Sequence, residues 1–135
     1  IMSVRLINTK NIIQKNNFKN AILNPISNNG LWTFNKIPKI NKQNLNNFAN
    51  YTFNETAFNI SKLYNLDKEF GDNNLKNIIE KSFDFPIKNN NLFNNIDICE
   101  LYHGKSKSFK DIGVIFTKNL ISGNYYQTLY ILLQQ

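Results

Sequence analysis

The sequence has one cysteine, one histidine and one tryptophan, three prolines and five glycines. A single thiol, Cys99, excludes an intrachain disulfide. With only one histidine beside it, His103, a Cys/His metal centre is excluded too. Cys99 is expected as a small buried residue within a strand. Its isolation is compatible with a reducing, cytoplasmic compartment. No run reaches the roughly 18–20 consecutive apolar residues of a membrane span. The opening Ile1-Met2-Ser3-Val4-Arg5 has no charged segment followed by an apolar run, so no secretory signal is expected. Ile1 before Met2 is not an ordinary translation start. There is no Walker-type loop, no nucleophile elbow and no internal repeat.

What the chain does have is aromatic mass and asparagine. Eleven Phe and six Tyr within a 41% hydrophobic composition are enough for a core. A length of 135 residues allows one domain or a piece of a larger one. The net charge of +7 invites a nucleic-acid reading. Yet Asn makes up about a fifth of the chain, and Asn, Lys and Ile share AT-rich codons, so genome composition explains the basic balance. The lysines are dispersed, and only Lys105, Lys107 and Lys110 cluster. Neither a nucleic-acid nor a membrane partner is expected.

Val4, Leu6 and Ile7 predict a short opening strand before a polar stretch over 10–17. Phe18, Ala21 and Ile22 have helical spacing, ended by Asn24-Pro25. Asn28-Asn29-Gly30 is a turn signal, and residues 31–34 read as extended. A helix is expected over 45–50. A stronger one over 52–66 has capping-box spacing at Thr52 and Glu55. Asp72 is the expected N-cap of the next helix, whose apolar stripe is Leu75, Ile78, Ile79 and Phe83. The Asn-rich residues 88–95 read as an exposed loop.

From Ile96 the pattern changes to strand, polar loop over 104–107, then a helix from about Phe109. Ile112, Ile115, Phe116 and Leu120 form its apolar face, and Ser122-Gly123-Asn124 is expected to end it. The apolar run 128–133 reads as a buried parallel strand, completing a βαβ unit. An unpaired final strand over 129–133 predicts poor solubility or self-association unless a complementing chain covers it.

The chemistry lies in His103-Gly104-Lys105-Ser106-Lys107-Ser108-Phe109-Lys110-Asp111-Ile112-Gly113. A lysine buried at a helix start suits Schiff-base chemistry, since desolvation and the helix dipole both favour the neutral amine. Phe109 offers a flat face, and Asp111 stands at cap spacing from Ser108. Spacing alone favours a solvated surface lysine. His103, at a strand end beside Gly104, is expected in a hydrogen-bonded structural role.

Glu100-Leu101-Tyr102-His103-Gly104 followed by Ser108-Phe109-Lys110-Asp111 resembles the cofactor-lysine motif of the threonine synthase family. That motif reads Glu-Leu-Phe-His-Gly-Pro-Thr, two variable positions, then Phe-Lys-Asp. Residues 18–24, Asn29-Gly30-Leu31-Trp32, Ile37-Pro38-Lys39, Ala57-Phe58 and Gly71-Asp72 follow the family's order upstream. The resemblance implies an α/β chain: a helical N-terminal domain over 1–95, then the first βαβ unit of a fold-type-II pyridoxal-phosphate enzyme over 96–135. It implies that Lys110 carries pyridoxal phosphate and shuttles protons, with Phe109 beside the ring. It implies the conversion of O-phosphohomoserine and water to threonine and phosphate. Lys105-Ser106 replaces the family's Pro-Thr, keeping a hydroxyl but losing a rigid turn. The family's glycine-rich phosphate cradle follows the strand matching 129–133, where this sequence reads Gln134-Gln135. The chain alone is therefore expected to be inactive, as the product of a pseudogene, a frameshift or an incomplete gene model. The alternative is a non-catalytic binding module or partner subunit retaining the fold.

Overall fold

The computed structural model of the chain describes residues 4–25 and 29–124. Its first unit is a three-stranded antiparallel sheet in the order β2-β1-β3, built from β1 (Arg5–Asn8), β2 (Lys15–Asn17) and β3 (Trp32–Phe34). Alternation from Val4 through β1 turns Val4, Leu6 and Asn8 inward, all nearly inaccessible to solvent. Asn8 is a polar residue among apolar ones, and its amide is fully engaged. Its Oδ1 accepts from the Lys10 and Asn11 backbone N–H groups at 2.8 and 3.3 Å. Its Nδ2 donates to Gln14 at 3.1 Å. These bonds hold the β1–β2 connection in place. Gly30 lies directly on the Asn8 amide, where any Cβ would collide with it.

The polar stretch over 10–17 thus contains a strand that its composition hides. β2 runs straight into helix α1 (Phe18–Leu23), which Asn17 caps by accepting from Asn20 N–H at 2.7 Å. Helix α2 (Lys42–Phe48) begins and ends a few residues before its expected span, with Asn41 as its cap. Helix α3 (Phe53–Leu63) has the expected capping box, with Thr52 and Glu55 each bonding the other's backbone N–H. The stretch expected as one helix is broken by Asn65, which sits in the left-handed region at φ 59°. A short helix α4 (Leu66–Phe70) follows.

Helix α5 (Asp72–Ser82) is capped at Gly71, not Asp72. Gly71 has φ 79°, a conformation glycine adopts without strain. Asp72 instead occupies the first turn and pairs with Lys62 at 3.3 Å. Leu75, Ile78 and Ile79 bury the predicted stripe almost completely, against Leu6, Ala21, Leu66, Phe70 and Leu120. Edge-to-face and tilted ring pairs (Phe18–Phe70, Phe34–Tyr64) close the core on the sheet side.

Residues 88–95 are not a loop. Strands β4 (Lys88–Phe93) and β5 (Ile96–Glu100) form an antiparallel hairpin through a turn with Asn94 in the left-handed region. Both faces of β4 are exposed, so no apolar alternation marks it as a strand. Asparagine amides substitute for packing: Asn91 reaches Asp97 across the pair at 2.8 Å. Cys99 lies in β5 as expected but is exposed rather than buried.

Helix α6 (Lys110–Asn124) returns onto α5 and extends through Ser122 and Gly123, where an end was expected. Phe83 stacks on Phe116 at 5.7 Å. Asn119 donates to Ser82 Oγ at 3.0 Å, and the buried Ser82 hydroxyl donates to the Ile78 carbonyl at 2.6 Å. The final strand of the expected βαβ unit, residues 128–133, lies outside the described residues. Among the described residues, no helix is long and apolar enough to cross a membrane.

Candidate active site

β5 delivers the chain to Glu100, and α6 starts ten residues later at Lys110. The connection between them is held at both ends by carboxylates. At the strand end, Glu100 Oε2 meets His103 Nε2 at 2.6 Å. Asn90 of the neighbouring strand donates to the other oxygen, Oε1, at 2.5 Å. The His103 contact, helped by Asn90 and Tyr102, holds the Glu100 carboxyl below the usual glutamate range against the opposing effect of burial. Burial, and then the Glu100 charge, push the Tyr102 phenol up. The expected structural role of His103 now has a named partner.

At the helix end the carboxylate is Asp111, which is 7% exposed. Its partner is Ser106, not the Ser108 that the spacing suggested. Oδ2 accepts the Ser106 backbone N–H at 2.8 Å, and Oδ1 accepts the Ser106 hydroxyl at 2.6 Å. Asp111 is also in the first turn of α6, where a negative charge complements the helix dipole. Gly104 is buried directly against this carboxylate, and a Cβ there would collide with it. The loop turns at Lys107, which takes the left-handed φ of 56°, with its N–H donating to the Gly104 carbonyl at 3.1 Å. Ser108 Oγ accepts the Lys110 N–H at 3.3 Å. The loop therefore closes without the proline at position 105 that the family motif carries.

Lys110 is exposed, not buried, because helical rotation turns Asp111, Ile115 and Leu120 toward the protein and leaves 110, 113, 114 and 117 outward. That outward face is concave. Leu101, Phe109, Lys110, Ile112, Gly113, Val114 and Thr117 line an open, mainly apolar depression of about 700 Å³. Gly113 leaves it open, since a Cβ there would meet nothing. Phe109 and Val114 are each 66% exposed. The structure thus brings an amine and an aromatic face to one apolar hollow on a braced loop. Among the described residues there is no group of three or more His, Cys, Asp or Glu side chains able to hold a metal ion.

The two carboxylate braces were the functional detail the residue spacing did not give. Glu100 and His103 are three apart at a strand end, where periodicity says nothing about contact. The Ser106–Asp111 bond depends on a left-handed turn at a lysine, which no local rule anticipates.

The chain is similar to known proteins. The threonine synthase N terminus family matches residues 5–83. Threonine synthase of Saccharomyces cerevisiae is 31% identical over 114 residues, which cover 76% of this chain and 22% of the yeast protein. The crystal structure of threonine synthase from Escherichia coli superposes with a TM-score of 0.81 at 22% identity, over 87% of this chain and 28% of that one. The pyridoxal-phosphate-bound threonine synthase from Brucella melitensis gives a TM-score of 0.81 at 17% identity, over 98% of this chain and 28% of that one. The α/β fold is that of these structures. The chain spans about a fifth of the length of the curated relatives it matches.

Proposed function

The chain belongs to the threonine synthase N-terminal family, and from that premise we propose that it carries the cofactor-lysine segment of a pyridoxal-phosphate enzyme acting on O-phosphohomoserine. Residues 1–95 form the N-terminal domain in this reading, and 96–135 begin the cofactor-binding domain. The observation that carries it is the braced loop, which places Lys110 and Phe109 at the edge of one apolar hollow.

The residues present fit the ring and the reactive end of pyridoxal phosphate. Lys110 supplies an amine at the rim, and Phe109 and Val114 supply flat apolar surface. Bound there, the cofactor would supply an electron sink for conversion of O-phosphohomoserine and water to threonine and phosphate. Lys110 Nζ holds the cofactor and moves a proton. Phe109 orients the ring, and Leu101, Ile112 and Val114 exclude water from one side. Asp111 and Ser106 keep the loop in the conformation that presents the amine. A glycine-rich turn for the phosphate and a second wall are not among the described residues.

Mixing the chain with pyridoxal phosphate tests the reading. A visible absorbance band that disappears in Lys110→Ala supports it. A band of equal strength in Lys110→Ala overturns it.

One observation favours a second reading, a binding module or partner subunit that retains the fold. Leu92, Phe93, Ile96 and Ile98 of the hairpin are all about half exposed, an apolar surface suited to a complementing chain.

A further inference from the structure

A second hollow on the described surface has no role in the site around Lys110. Its volume is about 800 Å³, and it lies where β1, β3, the following connector and the end of α3 meet. Its aromatic wall is Phe34 and Tyr64, whose rings pack at 4.4 Å. Ile37, an apolar side chain left 74% exposed, and Pro38 extend that wall. The polar lining is one-sided. Arg5, Lys36 and Lys39 all contribute, and no acidic residue does. None of these three has a carboxylate within ion-pair distance among the described residues. The walls are fixed by the fold: Asn35 N–H donates to the Arg5 carbonyl at 3.3 Å, and Asn65 takes its left-handed turn just after Tyr64.

Three cations with no ion-pair partner among the described residues raise the local potential around one hollow and attract an anion of more than one charge. Lysine and arginine together suit phosphate oxygens, which accept several charge-assisted hydrogen bonds. Packed aromatic rings beside them suit a flat apolar body. We propose that this hollow is a binding site for a small phosphate ester bearing a flat ring, of the nucleoside monophosphate class. The site is separate from the Lys110 hollow, with which it shares no lining residue.

Adenosine monophosphate is the probe. Calorimetric titration of the 135-residue chain at low ionic strength is expected to show saturable binding. Adenosine and inorganic phosphate, each carrying half of the recognition chemistry, are expected to bind at least about tenfold more weakly. The surface double variant K36A/K39A is expected to lose about tenfold in affinity for the nucleotide, with an unchanged circular dichroism spectrum. Lys110→Ala is expected to bind as the parent does, so failure here is distinguishable from failure of the Lys110 reading. Three outcomes overturn the proposal: no saturable binding up to millimolar nucleotide, equal affinity for inorganic phosphate, or undiminished affinity in K36A/K39A.

Discussion

Replacing Asp111 by alanine removes the brace that holds the Lys110 loop. The carboxylate is 7% exposed and accepts both hydrogen bonds from Ser106, at 2.8 and 2.6 Å. A hydrogen bond to a charged group contributes about 1.5–3 kcal/mol, and Ser106 is exposed, so water can take up its freed donors. The helix-dipole interaction of Asp111 adds about 0.3–1 kcal/mol. These contributions overlap, so the expected local cost is about 3 kcal/mol. Ser106→Ala removes only the hydroxyl bond and should cost about 1.5 kcal/mol. The assay is amide hydrogen exchange at Ser106, with urea unfolding as the control on global stability. Asp111→Ala is expected to speed exchange about a hundredfold. The double variant should cost less than the sum of the two singles, because both remove the same bond. Exchange unchanged in Asp111→Ala, or fully additive losses, would refute the brace.

Two further perturbations probe the frame around this loop. Ile79→Ala opens a cavity at a residue 1% exposed and should lower unfolding free energy by about 2–5 kcal/mol in urea titrations. Acid should weaken the start of α3. Bonds from Thr52 hold the Glu55 carboxyl below its ordinary value of 4.5. A lowered pKa means that the stabilising ionised form is complete above the unfolded value and is lost as pH falls through the folded one. The stability gap between the parent and Glu55→Gln should therefore be present near neutrality and close as pH drops below 4.5.

The sequence spoke clearly wherever an element buries one face. Leu75, Ile78 and Ile79 recur at helical spacing because α5 packs one side against α3, α4 and α6. Thr52 and Glu55 were readable because a capping box is a local device. The hairpin strand β4 was unreadable for the opposite reason. With both faces exposed, its Asn-rich run has no alternation to show. Cys99 was misplaced for the same cause, since its strand lies on an uncovered pair. At the proposed site, the ordered motif pointed to Lys110 and Phe109, but a motif does not specify rotation about a helix. Where α6 begins decides that Asp111 faces inward and Lys110 outward.

The central claim is that Lys110, among all the lysines of the chain, is placed to hold pyridoxal phosphate. Reduction of the mixture with borohydride, followed by mass mapping of the peptides, tests it directly. The account predicts that at limiting cofactor the added mass lies mainly on the peptide containing Lys110, and that Asp111→Ala spreads it to other lysines. Uniform labelling across the lysines of the parent chain, with no preference for Lys110, would contradict it.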